Sequence, residues 1–128
     1  MDILLVDDNE DYLTLMKDML YMNGYSVTTA TDGAEACEIL DSSDIDLIIS
    51  DIKMPKLDGI KLHAFARETE KYKETKFIFV SGYKEVYADI MKLDPKKDFL
   101  FDKTTPVTEI VTMVNDLMFG RFIDVKAS

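Results

Sequence analysis

Four short apolar runs in this chain each end in a residue that can handle phosphate. Ile3 to Val6 ends in Asp7-Asp8, and Ile45 to Ile49, broken only by Asp46, ends in Ser50-Asp51. Phe77 to Val80 ends in Ser81-Gly82, and Phe99 to Phe101 ends in Asp102-Lys103. Carboxylates, a hydroxyl and an ammonium are the groups phosphoryl transfer needs: a nucleophile, metal ligands and fixed positive charge. A carboxylate can itself be the nucleophile and form an aspartyl phosphate. If the first and central runs are adjacent parallel strands, Asp7, Asp8 and Asp51 meet in one crevice. Three such charges repel strongly in low dielectric, and a hard divalent cation would neutralise them.

The elements that must position these residues follow from hydrophobic patterning. The central run is apolar on both faces, as in a buried parallel strand, and Pro55 and Gly59 force a loop after it. Glu10 to Met22 places Leu13, Met16 and Leu20 at helical spacing and stops at Asn23-Gly24. Tyr25 to Ala30 alternates and is more polar, which predicts an edge strand. Further helices are expected from Gly33 to Leu40 and from about Ile60 to Lys71, the latter with Leu62, Phe65 and Ala66 on one face. A fourth is expected from Lys84 to Leu93, with Val86 and Ile90 at i, i+4. The last runs from a Thr105 N-cap and Pro106 to about Phe119. Five βα units predict an α/β fold with helices on both faces of a parallel sheet. The polar second strand favours the flavodoxin-like doubly wound order 2-1-3-4-5, and the chain is too short for an eightfold barrel.

The 128 residues suit one domain, and 47% hydrophobic with 31% charged residues is the composition of a soluble globular protein. The net charge of −10 argues against nonspecific binding to nucleic acid or anionic membrane. A single cysteine, Cys37, cannot form an internal disulfide, and no apolar run approaches the ~20 residues of a membrane span. A cytoplasmic location is expected.

The matching stretches LLVDDNE (Leu4 to Glu10), SDIKMPKLDG (Ser50 to Gly59), VSG (Val80 to Gly82) and FDK (Phe101 to Lys103) stand in register across the chain. Together they resemble the receiver domain of two-component response regulators, the CheY-like group. That resemblance implies that Asp51 is the phosphoacceptor. It also implies Mg²⁺ ligated by Asp8, Asp51 and the Lys53 backbone carbonyl, with Asp7 acting through water. Ser81 would hydrogen-bond the phosphoryl group, Lys103 would pair with it, and Gly82 would leave its approach open. The implied partners are a sensor histidine kinase and a downstream protein or output domain, with dimerisation or target binding on the face of helix 4, strand 5 and helix 5. Lys84, Tyr87, Met91 and Phe101 are the expected residues there. The module would catalyse only its own phosphorylation and dephosphorylation. Residues 1–120 are expected to form the receiver and 121–128 a tail or the start of a linker, of a stand-alone protein or a longer regulator.

Three features depart from the family pattern. Lys103 is followed by Thr104 instead of proline, Leu100 occupies the usual aromatic switch position, and Asp94-Pro95-Lys96-Lys97 replaces the common Gly-Ala turn. Two other functions compete. A Mg²⁺-dependent phosphatase with an Asp nucleophile would carry D-x-D where this chain has Asp7-Asp8-Asn9, and a degenerate receiver used as a scaffold would lack Asp51 or Lys103. Elsewhere the plain structural roles are expected: His63 exposed on its helix, Cys37 a buried thiol, and the methionines core filler, with Met91 and Met113 as the possible surface exceptions.

Overall fold

The computed structural model describes residues 1–54 and 56–120, apart from the Glu85 side chain; the expected tail, 121–128, lies outside the described residues. Strands β1 (Asp2–Val6), β2 (Ser26–Ala30), β3 (Leu47–Ser50), β4 (Lys76–Ser81) and β5 (Asp98–Asp102) form one sheet. The pairings are all parallel and the order is β2-β1-β3-β4-β5. Helices α1 (Glu10–Met22), α2 (Gly33–Ser42), α3 (Gly59–Glu68), α4 (Lys84–Ile90) and α5 (Val107–Met118) alternate with the strands. The fold is the flavodoxin-like one of CheY.

Strand periodicity divides the core in two. Ile3, Leu5, Leu47, Ile49, Ile78 and Val80 point to the face covered by α1 and α5, where Leu13, Met16, Leu20, Ile110 and Val114 are buried. Leu4, Val6, Ile48, Phe77 and Phe79 point to the other face, beneath Leu40, Leu62 and Ala66. The edge strand β2 buries only Ala30 fully.

Three helices begin on side-chain caps, in which Asn9, Asp32 and Asp58 accept the N–H of Tyr12, Glu35 and Lys61. Gly24, at φ 90°, ends α1 in the left-handed region, and Tyr25 N–H returns to the Leu20 carbonyl.

Several expectations are corrected. Helix α3 stops at Glu68 because the chain turns and buries Tyr72, whose hydroxyl donates to the Leu40 carbonyl at 2.8 Å. Helix α4 ends at Ile90, and the residues it packs on the core are Tyr87 and Met91, while Val86 and Ile90 are 57% and 61% exposed. Met113 also packs inward, whereas Met1 and Met22 are exposed. Cys37 is half-buried at the margin of the core. The N-cap of α5 is Pro106 and not Thr105, because Thr105 belongs to a tight turn in which its N–H donates to the Asp102 carbonyl. The Lys103–Thr104 peptide, by contrast, is trans, as the absence of proline after Lys103 favours.

Candidate functional site

The site lies at the carboxyl edge of the sheet, where strand order reverses between β1 and β3 and such folds bind ligands. Val6 pairs with Ser50, so Asp7 and Asp51 emerge side by side. Asp51 N–H donates to the Val6 carbonyl at 2.8 Å, which fixes the two backbones together. Asp7 is buried, Asp51 half-buried and Asp8 exposed, and one oxygen from each lies within 4.8 Å of the others. A graded set of hard oxygen donors, buried at one end and open at the other, suits a cation that keeps part of its water.

The other half of the site comes from β4 and β5. Ser81 pairs with Asp102, and Lys103 N–H donates to the Ser81 carbonyl at 3.0 Å. From there Lys103 reaches across the edge, placing its Nζ 2.6 Å from Asp7 Oδ2 and 3.3 Å from Asp51 Oδ2. The remaining oxygens are held by backbone: Asn9 N–H donates to Asp7 Oδ1 and Ile52 N–H to Asp51 Oδ1.

One ammonium does not balance these acids. Burial raises the Asp7 carboxyl above its ordinary range, against the opposing pull of Lys103 and the Asn9 N–H. Burial, then the charge of Asp7, raises Asp51, and Lys103 offsets this only in part. Burial alone would lower Lys103, but the two carboxylates outweigh it and hold the ammonium above its usual value.

The sequence-predicted residues are not all equally engaged. Asp7, Asp8, Asp51 and Lys103 are brought together. Ser81 is fully buried, and its hydroxyl accepts the Tyr83 N–H at 3.0 Å, so its oxygen is already tied into the turn leading to α4. Lys53 is exposed and rests its ammonium over the Tyr83 ring, 5.0 Å from the centroid. Asp8, Lys53, Met54 and Tyr83 line an open depression beside the acids. No atom lies within 4 Å of where a Gly82 side chain would begin. A side chain at Gly59, by contrast, would strike the Asp51 carbonyl, so α3 can start this close to Asp51 only from glycine.

Sequence reasoning missed Tyr12, whose ring carries the Lys103 ammonium at 4.6 Å from its centroid. Burial, then the charges of Asp7 and Asp51, pushes its phenol up to about 12. The signal was its position: with Met19 it flanks Met16 of the buried stripe at i, i+4 and i+7 spacing. His63 is also corrected. It is not exposed but lies edge-on to Phe77 and Phe79, with Nε2 3.0 Å from Asp98 Oδ1. That places it at the start of β5, the opposite edge from Lys103.

Strand order and an acid–lysine edge define a flavodoxin-like α/β domain built around its β1–β3 switch point. The family model of the response regulator receiver domain matches residues 3–115, and the chain belongs to that family. It is 34% identical over 119 residues to the sensor kinase CckA of Brucella abortus, covering 91% of this chain and 12% of the kinase. It is 31% identical over 117 residues to the response regulator SaeR of Staphylococcus aureus, covering 91% of this chain and 50% of that protein. The chain thus spans half or less of these relatives' length. Among solved structures, the response regulator TrrA of Thermotoga maritima, described in complex with Mg²⁺-BeF, is 30% identical. It superimposes with a TM-score of 0.78, covering 91% of this chain and 97% of that one. The receiver domain of the Francisella response regulator 1452 is 28% identical with a TM-score of 0.82, covering 94% and 98%. Receiver domains are signalling modules of two-component systems. No described helix is long and apolar enough to cross a membrane.

Proposed function

We propose that residues 1–120 form a phosphoaccepting receiver in which Asp51 takes a phosphoryl group from a phosphohistidine of a sensor histidine kinase. The observation that carries this reading is the Lys103 ammonium bridging Asp7 and Asp51 with Asp8 alongside. An Asp51 carboxylate oxygen attacks phosphorus, the P–N bond breaks, and its electron pair leaves on the imidazole. Lys103 then transfers its contact to a phosphoryl oxygen, since the incoming group adds roughly −1.5 to −2 charges. The Ser81 hydroxyl turns from the Tyr83 N–H to a second oxygen. Hydrolysis of the acyl phosphate returns Asp51 to the carboxylate.

Asp8, Asp51 and the Lys53 carbonyl are the proposed direct ligands of Mg²⁺, with Asp7 acting through water. The donor set fits a hard cation, which when bound supplies positive charge to the phosphoryl oxygens. The module performs no reaction on other substrates in this reading, works in the cytoplasm, and contacts neither membrane nor nucleic acid directly.

Loss of the Ser81–Tyr83 contact links the site to α4. The proposed face for a downstream protein or a second receiver is therefore α4, β5 and α5. Its apolar candidates are the exposed Tyr83, Val86 and Ile90, with Lys84 beside them. Tyr87, Met91 and Phe101, which the family resemblance implies for this face, pack against the two cores.

Mass spectrometry after incubation with acetyl phosphate and Mg²⁺ tests the acceptor. Wild type gains one phosphoryl group and Asp51→Asn gains none; an equal gain in the variant refutes the assignment. Amide shifts on adding beryllofluoride test the face, which is wrong if residues 83–119 do not respond.

A further inference from the structure

Tyr12 lies in the first turn of α1 with the Lys103 ammonium on its ring face. That ammonium is the one bridging Asp7 and Asp51. Meanwhile the Tyr12 hydroxyl is buried and has no hydrogen-bond partner among the described residues, the only such side-chain atom there. Buried polar groups are nearly always satisfied, and an orphaned one destabilises the state in which it is orphaned. An orphan donor next to an over-acidic site has a simple resolution: its acceptor arrives with the ligand. A phosphoryl group brings three strong acceptor oxygens. Because the phenol stays protonated far above neutral pH, it is available as a donor throughout the working range.

We propose that Tyr12 is a further binding residue of the loaded site: its ring braces Lys103, and its hydroxyl donates to an oxygen of the group carried on Asp51. This rests on the phosphoaccepting reading above. It assigns the chain a phosphate contact from α1, in addition to those from Ser81 and Lys103.

The test uses the full chain, beryllofluoride with Mg²⁺ as the probe, and two variants. Tyr12→Phe keeps the ring and removes the orphan. Its midpoint of thermal unfolding in metal-free buffer should equal or exceed that of wild type, while its beryllofluoride affinity falls about tenfold or more. Its affinity for Mg²⁺ alone should be unchanged. Tyr12→Leu removes ring and hydroxyl together and should weaken beryllofluoride further, with a shift of the Lys103 ammonium resonance that Tyr12→Phe does not show. A fall in affinity with no fall in stability in Tyr12→Phe is the signature, because a packing role lowers both. If Tyr12→Phe binds beryllofluoride as wild type does, or loses stability and affinity together, the inference is overturned. If wild type itself does not bind beryllofluoride, the phosphoaccepting reading fails and takes this inference with it.

Discussion

Two buried acid clusters sit at opposite edges of the sheet, and they are balanced in opposite ways. At the start of β5, Asp98 stands alone among donors. Its Oδ1 accepts from Arg67 at 2.7 Å and His63 at 3.0 Å, and its Oδ2 accepts the Asp94 N–H at 2.8 Å. Burial would raise this carboxyl, but those donors outweigh it and hold it below the ordinary range. At the carboxyl edge Asp7 and Asp51 share Lys103 with Asp8 alongside, and the buried Asp7 and half-buried Asp51 are both raised. The first cluster is complete as it stands and ties α3 to the turn before β5. The second is short of positive charge, which is why a cation is the ligand proposed for it. The difference teaches that burial of a carboxylate does not by itself mark function; the ratio of acids to donors does.

The same chemical change should therefore act oppositely at the two edges. Asp98→Asn leaves Arg67 and His63 without their anion and should cost about 3–5 kcal/mol by denaturant unfolding at pH 7. A loss under about 1 kcal/mol would mean that the cluster contributes little. Asp51→Asn relieves repulsion while Lys103 keeps Asp7, so in metal-free buffer it should stabilise by roughly 0.5–2 kcal/mol. Destabilisation by Asp51→Asn would remove the contrast.

Proton linkage sharpens it further. The folded-state value of Asp98 is depressed, so its contribution is fully present above the unfolded value near 3.8 and is lost as pH falls through the folded value. The gap in stability between wild type and Asp98→Asn should thus narrow as pH falls below about 4, through the depressed folded value. A gap that persists to the lowest pH would argue that the loss is steric. Added Mg²⁺ should raise the melting temperature of wild type by mass action and do so much less for Asp8→Ala. Equal shifts would remove Asp8 from the ligand set.

The smallest effect belongs to α4. This helix has seven residues and no side-chain cap, and its Val86 and Ile90 face solvent. Ile90→Ala should change stability within about 0.5 kcal/mol, whereas Leu20→Ala on the capped α1 should cost about 2–5 kcal/mol. A large cost at Ile90 would show that the exposed stripe is structural. A weakly anchored α4 next to Ser81 is an element that a local change can move cheaply.

Much of this was legible before any coordinates. Alternation in Tyr25 to Ala30 against the solid runs of β1 and β3 marks β2 as an edge strand and favours the observed order. That the acids, Ser81 and Lys103 lie along one edge is legible because each follows an apolar run, and a parallel sheet gathers such ends together. The inner face of α4 was not legible, because Val86/Ile90 and Tyr87/Met91 are both apolar pairs four residues apart. Only the floor built by residues such as Phe79 and Leu100 selects the second pair. His63 read as a surface residue because Asp98, its partner, is 35 positions away.

The sequence by itself determined the alternation of elements, the buried strands and the chemical types at their ends, since these rest on periodicity and residue type along the chain. Tertiary structure alone decided the charge balance: which acid meets Arg67 and His63, which acids share Lys103, and that Tyr12 lies beneath Lys103. Those outcomes depend on distances between segments remote in sequence. Hydrogen bonds need direct contact and Coulomb energy depends on distance in space, not on separation along the chain, so no local pattern carries them.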